Sequence, residues 1–288
     1  MRIVGFTILH NGLLLDYPFR ESILSALPLC DRFIVSVGQS EDGTYEAIQE
    51  LAQAHPTIEV RQSTWDLSNR QGGNVLAIET NKVLQDLPPA DWVIYLQADE
   101  VLHEDDYPAI RQAMQENLTD LRVEGLVFEY LHFYGSYEWV GTSRRWYRRE
   151  VRVIRPWPEI RAYRDAQGFR RGRKKLRVRP AGARIFHYGW VRPPQNQLQK
   201  VRHISRYWHD DAWIEKTFQA GFSYDLNQPL QRFTGTHPAV MQARIAAACW
   251  DFPYDPTQVR LPLKERILTW IEHHTGWRIG EFRNYRFI

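Results

Sequence analysis

The chain has little sulfur chemistry to offer. Its 288 residues include two cysteines, Cys30 and Cys249, with no CxxC pair and no spacing that a zinc or redox site would use. Both stand in apolar company, which reads as buried thiols in a reducing compartment. No run approaches the roughly 18 uncharged apolar residues of a membrane span. The opening segment MRIVGFTILHNG is too short in apolar run for a signal peptide and reads as a first strand. A cytoplasmic protein is the expectation. Internal repeats and low-complexity linkers are also absent, and a hydrophobic share of 43% beside 25% charged residues suits an ordered chain with a sizeable core.

What is plentiful is aromatic rings and arginine. Eleven Trp and fourteen Tyr are a high count. Such rings line sugar-binding clefts, because an apolar face with a polar tip suits a pyranose, and they equally fill cores and interfaces. The formal charge of +3 hides an asymmetry. Residues 144–184 hold sixteen Lys or Arg against three acids (Glu150, Glu159 and Asp165), a local excess of thirteen, so the rest of the chain carries about ten negative charges. Such a segment faces phosphate, an anionic lipid surface or an acidic partner, or is a solvated basic face.

Periodicity divides the chain. Apolar β-rich runs at 2–9, 32–37, 57–61 and 91–96 alternate with helical patterns at 13–27, 44–54 and 74–87, the last ended by Pro88 and Pro89. This order implies a mostly parallel sheet that binds ligands at the carboxyl ends of its strands. After a helix at 105–117, strands at 124–133, 145–154 and 183–188 are separated by Arg-, Pro- and Gly-rich loops, and helices are expected at 197–211, 238–249 and 263–274. One α/β domain with an irregular, basic second half is the simplest parse. The 263–274 stretch is amphipathic, with Leu263, Ile267, Leu268, Trp270 and Ile271 beside Lys264, Glu265 and Arg266. It reads as a packed terminal helix, with shallow membrane attachment as the alternative.

The most informative spot is Gln97-Ala98-Asp99-Glu100, directly after the fourth strand. A carboxylate at the end of a central strand emerges at the ligand edge, where it can hold Mg²⁺ or Mn²⁺ against a diphosphate or simply cap the next helix. Ser40-Glu41-Asp42-Gly43-Thr44 follows strand two, Asn81 lies on the helix before strand four, and Phe133-Tyr134-Gly135, Arg148 to Arg152, Asp165-Ala166-Gln167-Gly168-Phe169 and His187 follow in order. In these pieces residues 1–190 resemble the family 2 glycosyltransferases, nearest to their lipopolysaccharide-core β-glycosyltransferase branch. The resemblance implies a GT-A fold, that is, a Rossmann-like, mostly parallel sheet flanked by helices, here with an irregular basic C-terminal half and terminal helices. It divides a single domain into a nucleotide-binding half (1–120), an acceptor and metal half (121–195) and a helical extension (196–288).

The same resemblance implies roles. Asp99 with His187 holds a divalent metal (Mn or Mg), and donor binding is expected to need it. His10, Asn11, Gln39, Arg70 and Gln97 contact a nucleoside-diphosphate sugar. Asp165 is the base of an inverting transfer, with Glu138 and Glu129 as substitutes. His187 after Ile185-Phe186 also fits a structural histidine, and Arg70 a surface one. Two departures stand out: the acid usual at the end of strand two is replaced around Val37-Gly38-Gln39, and Gln97 stands where the family has the first Asp of D-x-D. Weaker metal binding should result. The acceptor would be a glycan or lipid-linked sugar, with peripheral contact to an anionic membrane. Three other readings exist: an inactive GT-A scaffold, a nucleotidyltransferase, and a nucleic-acid binder using 144–184 with Trp146, Tyr147 and Trp157. The last two leave strand one's Leu9-His10-Asn11-Gly12-Leu13 ending or the placement of QADE unexplained.

Overall fold

The structure is a computed structural model and describes residues 1–68 and 72–288. Its first part alternates β1 (Ile3–Leu9), α1 (Phe19–Ala26), β2 (Arg32–Gly38), α2 (Thr44–Ala54), β3 (Ile58–Ser63), α3 (Asn74–Gln85) and β4 (Trp92–Tyr95), then β5 (Glu100–Leu102) and α4 (Tyr107–Glu116). The second part runs β6 (Gly125–Tyr134), β7 (Trp139–Gly141), β8 (Arg149–Ile154), β9 (Ile160–Tyr163), β10 (Gly168–Arg171) and β11 (Lys174–Trp190). It ends with α5 (Pro194–Ser205), α6 (Asp211–Thr217), β12 (Leu230–Arg232), α7 (Gln242–Ala246), α8 (Leu263–Thr275) and β13 (Tyr285–Phe287).

The main sheet has the order β3-β2-β1-β4-β8-β6-β11-β10-β9. β3, β2, β1 and β4 are parallel, as the alternation of strand and helix requires. β8 then enters antiparallel between β4 and β6, and β6 and β11 are again parallel. This is the Rossmann-like α/β class expected from the sequence. The period-2 strands bury both faces. Phe33, Val35 and Val37 pack with Phe19, Ile23, Ile48, Ile110 and Met114 on the face covered by α1, α2 and α4. Ile34, Phe6 and Val93 pack with Val75 and Val83 of α3, and with Ile160 and Phe169 of the β9–β10 hairpin, on the other. Gly5 is required inside β1, because a Cβ there would stand 2.3 Å from the Phe33 ring.

Several bounds differ from the sequence reading. Residues 13–16 form turns and the first helix starts at Phe19; Asp42 and Thr44 take the main-chain N–H groups of Leu14 and Leu13. The third late strand is not confined to 183–188: β11 runs for 17 residues and carries a register shift between Pro180 and Arg184. The helix expected at 238–249 shrinks to α7 and a short 3₁₀ turn. No helix among the described residues is long and apolar enough to cross a membrane.

The basic segment is largely neutralised by acids distant in sequence. Arg144 and Arg148 pair with Glu272, Arg148 also with Glu281, Arg171 and Arg177 with Glu124, and Arg184 with Asp106. Arg155 stacks 3.7 Å above Trp92 and donates to the carbonyls of Asn117 and Leu118 at the end of α4. The clustering of arginine therefore reflects, in the main, how the second half is tied to the rest.

One pair governs the ligand edge. Glu100 and Arg152, both fully buried, form a bidentate ion pair of 2.6 and 2.7 Å. The Tyr130 hydroxyl donates to Glu100 at 2.8 Å, and the Gln97 N–H donates to its other oxygen at 3.1 Å. The Arg152 guanidinium lies between the rings of Tyr95 and Tyr130 and also donates to the Gln167 carbonyl at 2.8 Å. Arg152→Met is expected to cost about 3–5 kcal/mol, since it leaves a charged Glu100 alone in the interior. Adding Glu100→Gln should recover much of that loss. Urea unfolding followed by tryptophan fluorescence measures both; a loss within the roughly 0–1 kcal/mol of a surface pair would show that the ion pair is not isolated from water.

Candidate active site

The carboxyl ends of β1 and β4 open into a cavity of about 280 Å³. His10 from the end of β1, Gln97 and Asp99 from the β4–β5 turn, and Asp165 from the β9–β10 turn all line it. So do Tyr147, named in the sequence only for a nucleic-acid reading, and residues that sequence reasoning missed: Tyr17, Trp65, and from α5 and the turn after it Lys200, Ile204, Tyr207 and Trp208. The last four recur at i, i+4, i+7 and i+8, and a lysine inside that otherwise apolar stripe is the signal that could have found them.

Asp99 is buried with two cationic or basic partners. Its Oδ2 accepts from Lys200 Nζ at 3.0 Å, and its Oδ1 lies 3.7 Å from His187 Nε2. Burial alone would raise the Asp99 carboxyl, but the Lys200 ammonium overcomes it and holds it below the usual range. Burial first, then Arg192, push Lys200 down to about 8, against the pull of Asp99. Lys200 also donates to the Gly189 carbonyl at 2.8 Å.

The histidines fix each other's protons. His132 Nε2 lies 2.8 Å from the Tyr147 carbonyl, which can only accept, so Nε2 carries the hydrogen. Burial lowers both His132 and His187, which keeps them neutral near pH 7. His132 Nδ1 is then bare and accepts from His187 Nδ1–H across 3.0 Å. The lone pair of His187 Nε2 is left facing the Asp99 carboxylate. Two lone-pair groups facing each other suit a cation between them, and the backing of His187 by His132 is the kind of second interaction that orients a ligand histidine. Gly189 keeps the space open: a Cβ there would stand 2.7 Å from His187 Nε2 and 2.8 Å from Asp99 Oδ2. Among the described residues no group of three or more His, Cys, Asp or Glu converges, so the protein would offer an ion these two ligands. An oxygen and a nitrogen donor suit manganese better than magnesium.

Asp165 sits at the tip of a turn in which Arg164 and Ala166 both adopt left-handed φ, 56° and 57°. Arg152 holds this turn through Gln167, and Asn81 of α3 holds the strand before it, exchanging hydrogen bonds of 3.2 and 2.8 Å with Ala162. Asp165 also lines a second groove of about 560 Å³ with Tyr163, Arg164, Trp208 and Phe282. It therefore stands where the two spaces meet.

The other expected residues are placed as follows. His10 stacks on Trp65 at 5.1 Å and meets the Tyr207 hydroxyl at 3.3 Å; its burial lowers its pKa. Asn11 is outside the cavity lining, in a left-handed turn, its N–H on Ser40. The Gln39 side chain accepts from the main-chain N–H of Trp65 at 3.0 Å and thus supports the wall rather than forming it. Arg70 lies outside the described residues. Glu138 is exposed beside Arg232 at 3.8 Å, and Glu129 pairs with Arg149 at 2.8 Å; neither lines the cavity.

No protein-family model matches the chain, and no curated protein matches it. Among solved structures, S. aureus TarS is similar at 10% identity over 71% of this chain, with a TM-score of 0.36; the chain spans 39% of its length. The mannosyltransferase PcManGT from Pyrobaculum calidifontis, solved with GDP-Man and Mn²⁺, is similar at 18% identity over 46% of this chain and 36% of its own, TM-score 0.32. 4-Diphosphocytidyl-2C-methyl-D-erythritol synthase from Anaerococcus prevotii is similar at 10% identity over 54% of this chain and 70% of its own, TM-score 0.32. These likenesses are remote, and the chemistry rests on the chain's own residues.

Proposed function

We propose that the chain is a glycosyltransferase that moves a sugar from a nucleoside-diphosphate donor to a hydroxyl of a glycan or lipid-linked acceptor, with inversion. The observation that carries this reading is the meeting of two spaces at Asp165. One is lined by the buried Asp99 and Lys200, with His187 behind Asp99, and by aromatic walls. The other is walled by Tyr163, Trp208 and Phe282.

The nucleotide's flat base or ribose is received by His10, Trp65 and Tyr207, and the Gln97 amide is in place to bond a ribose hydroxyl. A divalent ion held by Asp99 and His187 would offset the charge that develops on the departing diphosphate. Asp165 takes the proton of the acceptor hydroxyl while that oxygen attacks the anomeric carbon and the bond to the diphosphate breaks. The aromatic rings of the second groove present faces on which an acceptor sugar can stack, and the strained turn fixes the carboxylate toward it.

Asp99→Asn should lower turnover by at least about two orders of magnitude, the size of losing one electrostatic stabiliser. The measurement is release of nucleoside diphosphate from a panel of UDP- and GDP-sugars; full activity of the variant would remove Asp99 from the chemistry. Asp165→Asn should lower turnover roughly 10²- to 10⁴-fold while donor affinity stays unchanged. Glu138→Gln should leave turnover unchanged, and the reverse pattern in these two variants would transfer the base role to Glu138. A wild type that binds the donors yet turns none over would identify an inactive scaffold.

A further inference from the structure

We propose that Lys200 is a resident cation for the donor's diphosphate, so that nucleotide binding does not depend on a divalent ion. The inference rests on the donor reading above. In a site with two acidic residues, a diphosphate meets net negative charge until a metal arrives. Here the position of the first acid is Gln97, and the single acid Asp99 already carries an ammonium at 3.0 Å. The pair is close to neutral, so an anion is not repelled at Asp99, and Asp165 is the other acid that lines the cavity.

Lys200 is placed rather than floating. It is buried on α5, its Nζ accepted by Asp99 and by the Gly189 carbonyl, and the Tyr17 ring lies 4.7 Å from it. An ammonium has three N–H donors. Two are used by these acceptors and the third remains for the cavity that Lys200 lines. A charge-assisted bond from that donor to a phosphate oxygen needs no movement of the protein. Metal binding and donor binding are thereby separable in this chain, with the ion reserved for turnover.

The test is calorimetric titration of UDP and GDP into the protein, once in EDTA and once in Mn²⁺. The wild type should bind one of them in EDTA within about tenfold of its affinity in Mn²⁺, and Lys200→Met should weaken binding in EDTA at least about tenfold, the worth of one charged hydrogen bond. Lys200→Met leaves Asp99 unpaired, so Lys200→Met/Asp99→Asn, which buries no charge, serves as the second variant and should show the same loss in EDTA. Binding by the wild type in Mn²⁺ alone, or EDTA affinities equal in wild type and both variants, overturns the proposal while the donor reading survives. Failure of both nucleotides under both conditions overturns the donor reading itself.

A separate observation concerns α8. Leu263, Ile267 and Trp270 recur at i, i+4 and i+7, the spacing of a packed face, yet they are 69%, 51% and 61% exposed, and no residue of α8 is buried. The terminal helix expected from the sequence is therefore present but not packed. Trp277 and Phe282 are also exposed, Arg148 ties the Phe282 segment to the end of α8 by pairing with both Glu272 and Glu281, and Lys175 lies 5.2 Å from the Phe282 ring. Arg173, Lys174 and Lys175 at the neighbouring β10–β11 turn form no ion pair among the described residues, unlike most of the basic segment. We infer that this surface docks on an anionic membrane. Apolar rings beside unpaired cations match an anionic interface, and the second groove, which Phe282 lines, opens beside it. Sedimentation with phosphatidylcholine vesicles, with and without phosphatidylglycerol, tests it. Binding should need the anionic lipid, weaken with salt, and fall at least about tenfold in Ile267→Glu/Trp270→Glu. No binding, equal binding to both vesicles, or a concentration-dependent dimer that ignores vesicles would overturn it.

Discussion

The Glu100–Arg152 ion pair is the constraint on which the arrangement of the site depends. Glu100 closes the β4–β5 turn by accepting the Gln97 N–H, and so determines where the adjacent carboxylate, Asp99, emerges. Arg152, from the antiparallel β8 beside β4, reaches through the same pair to the Gln167 carbonyl in the turn that carries Asp165. The two acids assigned different chemical tasks are thus referred to one guanidinium. A pair so dry offers little net stability over apolar residues of the same shape, so its value is in specifying geometry.

Around that pair, charge is matched in layers. The Asp99 carboxylate is balanced by Lys200 and faced by a histidine whose own proton is assigned by a second histidine and a main-chain carbonyl. Further out, the arginines of 144–184 engage acids from α4, the β6 approach and the C-terminal region. Most of what remains of the basic surplus lies on β9, β10 and the start of β11, where Lys175 lies near Phe282 of the groove. The positive charge that sequence composition spreads over forty residues is therefore concentrated, after pairing, at one edge.

Much of the fold was legible in the chain because it is local. Continuous apolar runs such as Ile3–Leu9 and Trp92–Tyr95 declare strands buried on both faces, and the alternation with helices dictates their parallel pairing. Asp99 at the end of β4 was legible for the same reason, since its place relative to a central strand follows from sequence alone. The residues 13–18, read as helix, were not: the chain there turns against the distant SEDGT segment, whose Thr44 and Asp42 hold the N–H groups of Leu13 and Leu14. The short strands β5, β7, β12 and β13 pair with strands far along the chain, a property that periodicity does not report.

By itself, then, the sequence determined an α/β sheet, the edge at which ligands bind, and the acidic turn at that edge, because backbone geometry and hydrophobic period act over a few residues. Only the tertiary structure decided which groups stand around Asp99. Lys200 is 101 positions away and reads in the sequence as one lysine among many; it becomes a partner because α5 crosses the cavity and buries it. The same holds for α8, whose apolar stripe has the spacing of a core helix and is outermost in the molecule. Charge pairing and exposure are relations between distant segments, and no local pattern encodes them.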